Sequence, residues 1–225
     1  MSSTLPFLFS MRGLTYQTGL DAIRLAADTA QNSIDDEAAR KQQELDAYNA
    51  SPEFVGERED GHTLWELDQV LEMDIERLGE ALPELRRAFV LSAYHYWETS
   101  VYRWHHQTHG TNAKKKLGPH NDLTKEIYEL GRIEPDMSFA LHPELEAVSK
   151  LANIIKHTSA DSWNWLQKHG PQVLQSLLPM PPAVPTPQSP VILTRKQLDW
   201  VFDVVRQSGP IVVPPWNTLK RNTNA

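Results

Sequence analysis

"ELRRAFVLSAYHYWETSVYRWHHQ", residues 84–107, is the most apolar and aromatic stretch of the chain. Val90, Ala93, Tyr94, Trp97, Val101 and Trp104 recur at intervals of three and four, the spacing of one helix face. Helix propensity and an aromatic stripe in one segment predict a central helix with others packed around it. Pro83, just before it, predicts a break from the preceding helix or the first turn of a new one.

Working outward, the other segments read as helices too. Residues from about Thr15 to Ala50 carry Leu20, Ile23, Leu25, Ala27 and Ala30 as an apolar stripe beside the charged "DDEAARKQQELDAY", and Asn49, Ser51 and Pro52 end them. A second helix is expected from Thr63 to Glu80, with Leu64, Leu67, Val70, Leu71, Ile75 and Leu78 at helical spacing. Beyond the turn-rich "THGTNAKKKLGPHND", a short helix runs from Leu123 to Leu130 with Gly131 as its stop. Pro143 and Glu144 open another helix through Leu145, Val148, Leu151, Ile154 and Ile155. Thr158 or Ser159 caps the following "ADSWNWLQKHG". "LPMPPAVPTPQSP", residues 178–190, cannot continue a helix. After it, "TRKQLDWVFDVVRQSG" has Thr194 as N-cap and Gly209 as stop, and Val212, Val213 and Trp216 lie in a docking arm. No repeat and no alternating run demands a sheet. The expectation is an all-α helical bundle over residues 1–178, a Pro-rich linker over 179–193, and a C-terminal helical appendage over 194–225.

The chain has 225 residues, 40% hydrophobic and 23% charged, enough for a core without covalent staples. With 0 cysteines it has no disulfide, thiolate metal site or cysteine nucleophile, which fits a cytoplasmic home. "MSSTLPFLFSMRGL" at the start lacks a basic n-region and reads as a packed arm, and no apolar run is long enough to span a bilayer. A net charge of -7 argues against an extended nucleic-acid footprint, which needs a basic face, but leaves room for a small basic cleft. The one concentrated basic run, Lys114 to Lys116, reads as a solvated loop.

Several chemistries are absent from the pattern. No Walker loop or paired-glycine fingerprint points to a nucleotide cofactor, and no nucleophile elbow surrounds any serine. His95 and Glu98 are three apart on the central helix, with His105 and His106 beyond. A metal would need a matching set from other helices, and "LWELDQVLEMDIERL" offers Glu66, Glu72 and Asp74 without a companion histidine. The sequence reading therefore assigns no metal and no cofactor.

"LANIIKHTSADSW", residues 151–163, is the remaining stretch with chemistry in it. Asn153 and His157 are one helical turn apart, flanked by Lys150 and Lys156. An imidazole moves protons, and cationic and amide side chains stabilise charge on a phosphate. Metal-free RNA cleavage needs little more, because the substrate supplies its own 2′-hydroxyl nucleophile. The competing reading is a core-edge histidine bonded to a backbone carbonyl, with Asn153 satisfying a neighbour. Trp163 and Trp165, directly after, read as core rather than as base-stacking platforms.

This stretch, near the end of an α-bundle, resembles the signature region of the HEPN superfamily (higher eukaryotes and prokaryotes nucleotide-binding domains), in which an Arg is followed by four to six residues and then a His, often as Arg-Asn-x-x-x-His. Asn153 and His157 match, while Ala152 stands at the Arg position. Lys150, with six residues between it and His157, or Lys156 can take the cationic role. Arg103, with five residues between it and His109, can supply a guanidinium across the bundle or across a dimer, with Glu98 as a polar orienter. The resemblance implies a metal-independent endoribonuclease of a bacterial defence or toxin–antitoxin system. It also implies a homodimer with a composite cleft over RNA. The alternative is a non-catalytic module that binds a partner protein through its C-terminal segment.

Overall fold

A computed structural model of the chain describes residues 10–50, 67–110, 118, 120–133, 141–177, 191–210 and 212. Among them are six α-helices and no strand: α1 (Met11–Ala50), α2 (Leu67–His109), α3 (His120–Ile133), α4 (Leu145–His157), α5 (Ala160–His169) and α6 (Arg195–Gln207). A 3-10 turn, Gln172–Leu177, follows α5. None of these helices is long and apolar enough to cross a membrane. The expected all-α bundle is the observed architecture. Lys114 to Lys116, the Pro-rich 178–190 stretch, Val213 and Trp216 lie outside the described residues, as do the start of the chain and residues 63–66.

The aromatic stripe of α2 is the axis of the core. Val90, Ala93, Trp97 and Val101 have no exposed surface, and Tyr94 and Trp104 are buried with them. Helices α1 and α2 form a long antiparallel pair. Lys41 meets Asp74 near one end (2.9 Å), Arg86 Nε donates to Gln31 Oε1 in the middle (2.8 Å), and Tyr16 stacks on Tyr96 at the other end (centroids 5.5 Å apart). The apolar face of α1 is Tyr16, Leu20 and Ala27, whereas Leu25, and Leu67 and Val70 at the start of α2, face solvent.

Pro83 does not end a helix; it lies inside α2. A proline removes one ladder bond and crowds the carbonyl four residues back. That carbonyl belongs to Gly79, which is exposed and has open space around it, so water can take the bond. Contacts with α1 on both sides of Pro83 hold the two halves in line. Helix α3 likewise runs through Gly131 to Ile133.

Helix α6 was expected as part of an appendage, and it is instead a wall of the same core. Val201, Phe202, Val204 and Val205 join the cluster that holds Tyr16, Trp97 and Leu151. Thr194 caps it in a full capping box with Gln197. The chain returns to the bundle at residues 191–193, where Val191 and Leu193 are buried and their carbonyls accept from Arg87 (2.7 Å) and Arg86 (3.0 Å). Along α1, Arg24 pairs with Asp199 and Asp203, Arg195 with Asp28, and Arg206 with Asp21, an antiparallel stitch along an edge partly open to solvent.

The C-terminal end of α6 is buried in the bundle, and its carbonyls need donors. Tyr16 Oη donates to Val205 O (2.6 Å) and Trp97 Nε1 to Ser208 O (3.0 Å). Burial pushes the Tyr16 phenol well above its ordinary pKa, so it remains a donor. Gly209 lies flat against the Tyr16 ring: a Cβ there would fall 1.9 Å from Cε1. Gly209→Ala should therefore cost about 2 kcal/mol or more by overpacking. Urea denaturation of the two proteins measures this.

Candidate functional site

Helix α4 turns Leu145, Val148, Leu151, Ala152 and Ile154 into the core and leaves Asn153, Lys156 and His157 exposed. His157 is thus no core histidine, and Asn153 is not buried beside it. The helix stops directly after His157 because Thr158 adopts a left-handed conformation (φ 49°, ψ 41°) and its N–H bonds back to Ile154 O at 2.8 Å. Ser159 then caps α5, its side chain accepting from Ser162 N. His157 is held at a tight corner between two helices.

A groove with about 420 Å³ of room lies between α2 and α4. Leu91, Tyr94 and Ala152 form its floor; His95, Glu98, Asn153 and Lys156 stand around it. Three residues singled out from the sequence therefore meet here: Glu98, Asn153 and Lys156. His157 does not line the groove; it follows Lys156 at the exposed helix end. Lys150 is turned away, 3.6 Å from Glu146 and with its ammonium 5.6 Å from the centre of the Trp165 ring. Arg103 lines a different cleft, against α1, with Arg12, Tyr96 and Gln107. It stands five positions after Glu98, which on a helix is a rotation of roughly 140°. Within one chain its guanidinium faces away from α4.

The structure adds His95 and Tyr94 to the site. His95 Nδ1 is 3.7 Å from Glu98 Oε2. Under the groove, Tyr94 Oη lies 2.8 Å from His120 Nδ1 and 3.0 Å from Ser149 Oγ. Burial raises the Tyr94 phenol pKa well above its ordinary value and lowers the His120 imidazole to about 4, Glu146 opposing the second shift and Lys150 adding to it. The floor is therefore neutral at physiological pH, and the charge lies at the rim. In sequence, Tyr94 belonged to the apolar stripe and His95 to an incomplete metal set. Only the approach of α4 to this side of α2 makes them neighbours of Asn153 and Lys156.

No family model, curated protein or solved structure matches the chain. Around the open groove, the Lys156 ammonium, the Asn153 carboxamide and the His95 imidazole, which lies beside the Glu98 carboxylate, suit an anionic, hydrogen-bonding ligand such as a phosphodiester. Among the described residues, the set His105, His109 and Glu126 can hold a metal ion, and it lies farther along α2.

A β-branched residue with positive φ is strained, and glycine relieves the strain. Thr158→Gly is expected to stabilise the protein by about 0.5–1 kcal/mol in chemical denaturation. His120 makes the stability depend on pH. It stays neutral in the folded protein down to about 4, whereas in the unfolded chain it takes a proton near 6.5. Its contribution is present above 6.5 and is lost as pH falls through 6.5 towards 4, by roughly 2–3 kcal/mol at pH 4.5. Urea midpoints of the wild type and His120→Gln across that window measure it, and the variant should show the flatter profile.

Proposed function

We propose that the chain is a HEPN-like endoribonuclease that works without a catalytic metal, with its working surface along the exposed edge of α4. The observation that carries this reading is that Asn153 and Lys156 share a groove with the His95–Glu98 pair of α2, with His157 solvent-facing next to Lys156 at the end of α4. In the reaction, the 2′-oxygen of one nucleotide attacks the adjacent phosphorus and loses its proton to an imidazole. The 5′-oxygen of the next nucleotide leaves and takes up a proton, which gives a 2′,3′-cyclic phosphate and a 5′-hydroxyl. His157 is the proton-transfer group. Lys156 neutralises the non-bridging phosphate oxygens, and Asn153 donates its amide N–H to them. Two copies with their α4 edges facing would pool these groups over one strand, as the family resemblance implies. A cytoplasmic toxin or phage-defence setting fits such an activity.

A specific observation favours a second reading. The side chain at the motif's Arg position is Ala152, which is only 4% exposed, and Arg103 does not replace it within the chain. A non-catalytic helical module would keep this fold and use its surface to bind a partner protein.

Purified protein incubated with single-stranded and structured RNA in EDTA separates the two readings. The nuclease reading expects cleavage with cyclic-phosphate ends, lowered about a hundredfold or more in His157→Ala and also reduced in Lys156→Ala. It further expects a dimer by light scattering. Folded wild-type protein that leaves RNA intact, alone and with a cognate partner, supports the module.

A further inference from the structure

Two turns beyond the groove, α2 carries another polar cluster. His105 and His109 are one helical turn apart, and Glu126 of α3 faces both. His105 and Glu126 are each 5% exposed. Among the described residues, Glu126 pairs with no lysine or arginine; its Oε1 lies 2.7 Å from His105 Nδ1 and 3.1 Å from His109 Nε2. The contact with His105 is close but badly aligned, and neither nitrogen of that ring makes a hydrogen bond among the described residues. A buried imidazole with both nitrogens unsatisfied, beside a buried carboxylate, is a costly arrangement for a core.

We infer that His105, His109 and Glu126 form a binding site for a divalent transition-metal ion, with zinc as the representative. One ligand atom from each residue falls within 4.8 Å of the others. Around a tetrahedral ion with bonds of about 2.0–2.1 Å, ligand atoms stand roughly 3.3 Å apart. The observed separations of 2.7 and 3.1 Å open to that value by small side-chain rotations. Two imidazoles and one carboxylate suit zinc and its first-row neighbours, and they do not suit calcium or magnesium, which take oxygen ligands. The ion takes a lone pair from the unbonded His105 ring, replaces the His109 Nε2–Glu126 hydrogen bond with two metal bonds, and offsets the carboxylate charge.

The surroundings fit as well. Helix α2 ends at this point: Gly110 takes a positive φ (67°) and its N–H bonds back to His106 O. The site thus lies at the negative end of the helix dipole, which favours a cation. His109 is 34% exposed, so the ion has a path from solvent and a fourth position for water. Its structural effect is to pin α3 against α2. Helix α3 also carries His120, which lies against Tyr94 in the groove floor, so metal occupancy stabilises that floor. This site stands apart from the nuclease reading and needs no RNA chemistry.

The test uses the full chain, freed of metal by EDTA and exchanged into metal-free buffer. Zinc chloride should bind at one ion per chain by calorimetry. At a hundredfold excess over the dissociation constant it should raise the melting temperature by roughly 5 °C or more, while magnesium does not. Glu126→Gln and His109→Ala should each weaken zinc binding about a hundredfold, and His106→Ala, at an exposed neighbour, should leave it unchanged. If those ligand variants misfold, cobalt added to the wild type still reports: a four-coordinate site gives strong visible absorption, which zinc displaces. Zinc without effect on the wild-type melting temperature would overturn the proposal and leave a shared-proton ion pair. So would binding that persists undiminished in both folded ligand variants.

Discussion

The bundle is organised around a helix end buried where water cannot reach it. The last turn of α6 leaves carbonyls without intrahelical donors, and the hydroxyl of Tyr16 and the indole of Trp97 supply them. Ser208, fully buried, extends the node: its hydroxyl donates to Val204 O and accepts from the backbone N–H of His142, at the entry to α4. Helices α1, α2, α4 and α6 are thereby fixed to one point by hydrogen bonds between specific atoms, inside a shell of aliphatic contacts. Gly209 keeps the approach to Tyr16 close enough for this to work.

That node divides the surface of α2 in two. One side packs on α1 and α6 through aromatic rings and aliphatic side chains. The other side meets α3 and α4, and it carries the polar groups Tyr94, Glu98, His105 and His109 at intervals of four, seven and four residues. The candidate phosphate groove and the candidate metal cluster are successive stations on this one face. Each is completed by residues from a different helix, Asn153 and Lys156 from α4 and Glu126 from α3. A rigid aromatic axis under both gives them fixed geometry without demanding much charge from an acidic chain.

Some boundaries show how far local rules reach. Thr194 with Gln197, and Ser159 with Ser162, cap helices as their residue types foretell. Pro83 and Gly131 did not act as breakers, because partners on both sides of Pro83 outweigh one missing hydrogen bond and because one glycine costs a helix only about 1 kcal/mol. Thr158 is the converse case. Nothing in a threonine announces a left-handed residue, and the corner it makes follows from α4 and α5 both burying apolar faces on one core.

By itself the sequence determined that the chain is all-helical, that residues 84–107 are its axis, and that Asn153, Lys156 and His157 share one stretch. Periodicity and capping are short-range properties, so they can be read along the chain. Only the tertiary structure decided that α6 closes the core, that Arg103 points to α1, and that Asn153 and Lys156 share a groove with Glu98 and His95. It alone brought Glu126 to His105 and His109. Those outcomes depend on how helices rotate about their axes when they pack, and one residue's shift in that rotation turns a side chain by about 100°.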